Sequence, residues 1–367
     1  MTESVLGKLG TISPMHNREL HNALGICRDY INSENNGEIS KFFFGKRILV
    51  TGGAGSIGSN LCRMLCSYSP KSVAVFDVDE NNGYLLYCEL KSAFPNVNVE
   101  FYLGSVCDQM RFREVMSAVK PQVVFHAAAH KHVPVLQTAV KQGVKNNVFG
   151  TLNAINLAKE FGVKTFVLVS SDKAVNPVGV MGMTKRVCEM LIQAQAGSKT
   201  RFCAVRFGNV FASNGSVVPI FLNQIQKGEP LTLTSEQMNR YFITVNDACG
   251  LLLLTATKAN SGEVFMLDMG SPINLLTLAK TLISFYGNGQ EQIKVIGLRE
   301  GERLQEELQY KNEPAKQLVL GINVCTLAGV NKAKLERNLK LLSESANRFG
   351  RLGEKGCEKL LKKIISL

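Results

Sequence analysis

The sequence predicts an α/β fold, a doubly wound parallel sheet with a smaller C-terminal lobe. Three observations predict it. Six short, near-continuous apolar runs alternate with segments of helical periodicity, a glycine-rich turn follows the first of those runs, and the alternation breaks into shorter elements from about Asn214. Apolar runs without polar alternation are the pattern of strands covered on both faces, and their regular exchange with helices implies right-handed βαβ units.

The elements follow in order. A polar, helix-prone lead-in occupies residues 1–44. The runs RILVTG, SVAVFD, VEFYLG, QVVFHAA, KTFVLVSS and RFCAVRFGNV then mark the dinucleotide-binding domain, 45–213, to which later segments return. Ile57 to Tyr68 and Asn146 to Phe161 carry helical periodicity between them. Residues 214–330 form the smaller lobe expected to bind substrate, and 331–367 a basic amphipathic helical tail. No internal repeat or low-complexity tract interrupts the chain.

Composition narrows the function classes. With 367 residues, 45% apolar and 20% charged, the chain is an ordinary globular protein with a sizeable core. The longest apolar run, GLLLLTATKA from Gly250, falls far short of the roughly 20 residues of a membrane-spanning helix, and MTESVLGKLG lacks a signal-peptide core. No membrane insertion and a cytoplasmic location are expected. Ten cysteines without a CxxC pair read as reduced, mostly buried thiols. His126, His130 and His132 have no acidic or cysteine partner at ligand spacing, so no metal site is expected. About half of the net charge of +12 comes from the tail, which has ten Lys/Arg against four Glu and no interleaved aromatics. That pattern suits a helix packing on the body or on another subunit and speaks against nucleic acid. A basic enzyme binding a nucleotide diphosphate shows the same bias.

The first run opens into ILVTGGAGSIGSNL, where Gly52, Gly55 and Gly58 stand at GxxGxxG spacing. Residues without a Cβ let the backbone approach a pyrophosphate, and the next helix offers unpaired N–H groups at its N-terminus. Asp77, nineteen residues past Gly58 at the end of SVAVFD, is placed to accept from the ribose hydroxyls of adenosine. A carboxylate there repels a 2′-phosphate, so NAD is favoured over NADP. This is a Rossmann-type arrangement.

The GxxGxxG spacing resembles the extended short-chain dehydrogenase/reductase superfamily, as do GSVCD (Gly104 to Asp108), HAAAHKHVP and NNVFGT (Asn146 to Thr151). The motifs AAAHKHVP, SSDKAVNP, VRFGNV, GSVVP, MNRYFIT, FMLDMG and GLREGERLQEEL narrow the resemblance to its polysaccharide-biosynthesis branch, the UDP-N-acetylglucosamine 4,6-dehydratases, from about Lys46 to Leu308. The resemblance implies a lyase that removes water from a nucleotide sugar. It implies cofactor contacts from Ser56, Ile57, Ser105, Val106, Ala127, Ala128 and Lys185 besides the glycines and Asp77. Substrate contacts would come from Lys131, His132, Asn209, Val217, Arg240, Arg299 and Glu302, with the two arginines on the diphosphate and Glu302 on the uridine ribose. Arginine forks suit phosphates on physical grounds as well. Homo-oligomers are common in the superfamily. The segment VLQTAV departs from the family pattern at Gln137 and Val140, and no role is assigned to it.

A second departure is chemical. In the superfamily a tyrosine four residues before the helix lysine takes the sugar hydroxyl proton; here that slot holds Met181, and no tyrosine occurs between Tyr102 and Tyr241. Members of the dehydratase family with methionine in this slot are known, so Met181 reads as a mark of a subfamily. By the resemblance, Asp172 protonates the departing C6 oxygen, Lys173 takes the C5 proton and Ser171 hydrogen-bonds the C4 oxygen. Asp172, or a water it holds, is expected to accept the C4 hydroxyl proton too. NPVGVMGMTKR looks closer to members that retain the C5 configuration. The competing readings are a UDP-sugar 4-epimerase, a C5-inverting dehydratase and a non-catalytic dinucleotide sensor.

Overall fold

A computed structural model describes residues 14–28, 30–326, 329–346 and 353–366. The first thirteen residues of the lead-in, and 347–352 and 367 of the tail, lie outside the described residues.

Six parallel strands, β1 (Arg47–Thr51), β2 (Ser72–Asp77), β3 (Asn98–Leu103), β4 (Val123–His126), β5 (Thr165–Val169) and β6 (Arg201–Arg206), coincide with the six apolar runs. They pair in the order β6-β5-β4-β1-β2-β3. Glu263–Leu267 extends the sheet in parallel beside β6, and Ile322–Cys325 and then Ala315–Val319 add antiparallel strands at that edge, giving nine. The order reverses between β4 and β1, so their C-terminal ends flank the crevice where α/β sheets bind ligands.

Alternate residues of each strand feed different cores. Ile48 and Val50 of β1 join one face with Leu61 and Leu65 of helix Ser56–Ser67 and Leu251 to Leu254 of helix Val245–Lys258. Leu49 joins the other with Phe112, Leu157 and Val187. Each buried Leu, Phe or Val stabilises by about 1.5–3 kcal/mol relative to exposure. The tail forms helices Lys332–Ala346 and Glu354–Ile365, whose Leu335, Leu339, Leu342, Leu361 and Ile364 enter this second core. Their lysines remain outside, which is why the segment is both basic and packed.

The smaller lobe has its own core. Phe221 of helix Val217–Lys227 and Leu278 and Leu282 of helix Leu275–Tyr286 pack with Leu20, Leu24 and Ile26 of the lead-in. The lead-in is therefore divided: its helix Pro14–Ala23 serves the lobe, whereas Ile39 and Phe43 of Ser33–Phe43 serve the sheet. Among the described residues no helix is long and apolar enough to cross a membrane.

Candidate active site

The turn after β1 is built for close backbone approach. Gly52 has φ +66°, and a Cβ there would stand 2.6 Å from Ala128 N, at the end of β4. A Cβ on Gly58 would overlap Gly52 O. No side chain caps the Ser56–Ser67 helix at Gly55, so its N-terminal amides face the crevice without a local anion. Asp77 is bound to this turn: its Oδ2 accepts from Ala54 N at 2.8 Å and its Oδ1 from Asp79 N at 3.0 Å. A backbone turn stripped of Cβ atoms at an uncapped helix N-terminus fits the phosphates of a dinucleotide.

A cavity of about 870 Å³ runs from this turn to the lobe. Gly52, Gly55, Ser56, Ile57, Gly58 and Ala127 line its cofactor end. Ser171, Lys173, Met181 and Lys185 line the middle, and Lys131, His132, Asn209, Val217, Arg240, Arg299 and Glu302 the lobe end. Asp77, Ser105, Val106, Ala128 and Asp172 are not on its wall. Val106 packs beneath Gly150, and Ser105 Oγ accepts from Cys107 N at 3.1 Å.

Three elements place the middle group. The π-helical turn Val144–Phe149 aims Asn147 inward, where its Oδ1 accepts from His130 N at 2.9 Å and its Nδ2 donates to Thr184 Oγ1 at 2.9 Å. That ties the end of β4 to helix Val180–Gln193. On the helix, Met181 (4% exposed) and Lys185 lie one turn apart. Lys185 Nζ donates to Val169 O at 2.8 Å, and burial holds its pKa below the usual lysine value.

At the end of β5, Asp172 is fully buried. Its Oδ1 accepts from Ser171 Oγ at 2.9 Å and from Lys173 Nζ at 3.0 Å. Lys173 Nζ also lies 3.3 Å from Asn209 Oδ1 and 3.7 Å from Glu306 Oε1. Asp172 therefore stands behind the wall and reaches the cavity through its two neighbours. Arg240 is more engaged than an arginine held ready for phosphate: Nη1 donates to Asn239 O at 2.7 Å and Leu304 O at 3.1 Å, and Nη2 to Arg303 O at 2.7 Å. It fastens the 303–304 backbone to the lobe. Arg299 stands exposed at the wall, and Glu302 Oε2 accepts from Arg299 N at 3.3 Å. Burial holds Lys131 and His132 below their usual pKa values, which lowers the cost of their neutral forms in the site.

Residues 48–324 match the family described as polysaccharide biosynthesis protein. The chain belongs to this family. Capsular polysaccharide biosynthesis protein CapD of Staphylococcus aureus is 46% identical over 287 residues, 77% of this chain and 48% of that protein. The chain thus spans about half the length of that relative. UDP-glucose 4-epimerase of Rickettsia rickettsii is 35% identical over 283 residues, 75% of this chain and 80% of that protein. Among solved structures, Pen from Bacillus thuringiensis superposes with a TM-score of 0.72 at 33% identity, covering 82% of this chain and 99% of that one. DesIV, a dTDP-glucose 4,6-dehydratase from Streptomyces venezuelae solved with NAD and TYD bound, shares the fold at a TM-score of 0.64 and 21% identity, covering 81% and 97%.

Three features of this family member went unread in the sequence. Gln137, without a role there, has its Oε1 accepting from Val180 N at 3.2 Å and its Nε2 donating to Glu300 Oε1 at 3.2 Å, which joins helix Val180–Gln193 to the loop that carries Arg299. Glu189 and Arg206 form a buried pair under the end of β5. Glu306 lines the cavity beside Lys173. Glu306 and Arg206 lie within the motifs GLREGERLQEEL and VRFGNV, but which side chains they meet is set by the packing of separate elements.

Proposed function

We propose that the chain is an NAD-dependent UDP-N-acetylglucosamine 4,6-dehydratase. Its product is a UDP-2-acetamido-2,6-dideoxy-4-keto-hexose with the C5 configuration retained, for surface glycan or modified-sugar synthesis. The observation that carries this reading is Lys173, which opens into the cavity between Asp172 and Glu306. An epimerase re-reduces C4 and has no C6 bond to break, so it needs no ammonium and carboxylate set at that place.

NAD, once bound, would supply the hydride acceptor and donor that the reaction needs. The glycine turn would hold its pyrophosphate, Asp77 its adenosine ribose and Lys185 its nicotinamide ribose. Met181 contributes an apolar wall that keeps water off the sugar. Ser171 hydrogen-bonds the C4 oxygen, and Lys173 moves a proton at C5 or C6. Arg299 meets the diphosphate and Glu302 the uridine ribose.

Incubation with NAD and UDP-N-acetylglucosamine in D₂O tests the reading. The product is expected to have lost one water and to carry deuterium at C5, with the gluco configuration by NMR. A product of unchanged mass assigns the chain to the second reading, a UDP-sugar 4-epimerase, which the 35% identity to the Rickettsia protein favours.

A further inference from the structure

Within the segment Gly301 to Leu308 one side chain is turned inward against its chemistry. Glu306 is 5% exposed, whereas Leu304, two residues earlier, is 38% exposed. A carboxylate inside and a leucine outside is the reverse of what burial favours, and such reversals concentrate where a charge has work to do. We propose that Glu306 is the base that takes the C5 proton of the bound sugar, with the Lys173 ammonium as the acid beside it. This rests on the dehydratase reading and revises the proton roles implied by the family resemblance.

The surroundings of Lys173 support the assignment. Its Nζ faces three oxygen acceptors, Asp172 Oδ1 at 3.0 Å, Asn209 Oδ1 at 3.3 Å and Glu306 Oε1 at 3.7 Å. An ammonium has three N–H donors for them, whereas an amine would turn its lone pair toward a carboxylate. The resting state is thus an acid, poorly prepared to begin as a base. Of the two carboxylates, only Glu306 lines the cavity; Asp172 is sealed behind it, with Oδ2 buried and without a hydrogen-bond partner. Arg240 Nη2 lies 3.9 Å from the same oxygen, Glu306 Oε1, and its guanidinium fixes the Arg303 and Leu304 carbonyls. Such separations tighten when substrate closes the site.

The proton count closes. After C4 is oxidised, the C5–H bond breaks and its proton goes to Glu306. The C6–O bond breaks as Lys173 gives a proton to the leaving oxygen, and water departs. The hydride returns to C6, Glu306 exchanges its proton with solvent and protonates C5 on the same face, and the C4 hydroxyl proton, passed through Ser171 to Asp172 when C4 was oxidised, moves from Asp172 to Lys173. Return by the same group retains the C5 configuration.

Glu306→Gln and Glu306→Asp test this with UDP-N-acetylglucosamine in D₂O, alongside calorimetry of sugar-nucleotide binding. The glutamine variant is expected to bind within about threefold of the parent, while C5 deuterium uptake and water loss both fall at least ~100-fold. The aspartate variant recovers part of both. C5 exchange within about threefold of the parent in Glu306→Gln overturns the proposal, as does a loss of affinity that matches the loss of rate. If the parent protein itself forms no dehydrated product, it is the dehydratase reading that fails.

Discussion

Glu189 receives Arg206 through two hydrogen bonds, Nε to Oε1 at 2.8 Å and Nη2 to Oε2 at 2.7 Å, and neither side chain is exposed. Glu189 Oε1 also accepts from Ser170 Oγ at 2.7 Å, so the pair sits directly beneath the strand end that presents Ser171 to Lys173. Arg186 and Glu313 complete a four-charge cluster. Removing one partner of a buried pair strands the other, which costs about 3–5 kcal/mol. Arg206→Met is expected to lose that much in urea unfolding.

The same pair has a pH signature. Burial alone would raise the Glu189 carboxyl, but Arg206 outweighs it and holds the group below its usual range. A depressed carboxylate contributes stability above its unfolded pKa and loses it as pH falls through the lower folded value. In Arg206→Met that contribution is gone, so the stability deficit relative to the parent is expected to be largest near pH 7 and to shrink as pH falls, measured as unfolding midpoints from pH 7 to 3.

His126 gives a dependence of the same sign in a higher pH window. It is fully buried between Thr51 Oγ1 at 2.7 Å and Thr151 Oγ1 at 3.1 Å, and burial, aided by Lys185, lowers its pKa to about 3. Between its unfolded value near 6.5 and the folded one, the unfolded chain binds the extra proton, so stability falls with pH. The slope is about 1.4 kcal/mol per pH unit, or about 2 kcal/mol from pH 6.5 to 5. His126→Gln should flatten stability over that interval, and an unchanged slope would assign it to other groups.

Gly58→Ala places a methyl group on Gly52 O. Backbone must move in the turn that meets the pyrophosphate. Dinucleotide affinity should drop ~100-fold by calorimetry, with about 1–3 kcal/mol lost in stability.

Asp77→Ala removes the acceptor for Ala54 N and, in the proposed cofactor mode, for the ribose. Hydrogen bonds to a charged group contribute about 1.5–3 kcal/mol, so NAD should bind roughly 10–150-fold more weakly. NADP should lose less, because the repulsion of its 2′-phosphate goes too. An equal loss for both dinucleotides would contradict the ribose assignment.

Much of the fold was legible because it is written locally. SVAVFD coincides with β2, and RILVTG runs one residue past β1, since strands covered on both faces need uninterrupted apolar runs. The later strands were not: Ala315–Val319 is mostly exposed at the sheet edge and carries no such run, and its membership follows from pairing with Ile322–Cys325. The glycine turn was legible for the same local reason, each glycine answering a steric demand within a few residues. The tail read as helical and basic, but its helices enter the core of the sheet through residues whose partners lie more than a hundred positions away.

Sequence alone determined the doubly wound class, the glycine turn with Asp77 after it, and an acid and a lysine, Asp172 and Lys173, shortly before the slot where Met181 replaces a tyrosine. Those features depend on periodicity and short spacing, which survive without coordinates. Only the tertiary structure decided which carboxylate meets the cavity. Asp172 and Lys173 are neighbours in the chain, yet a strand end that turns one inward exposes the other, while Glu306 arrives from the lobe to lie 3.7 Å from Lys173. Packing of the lobe against the sheet sets that meeting, and no local pattern encodes it.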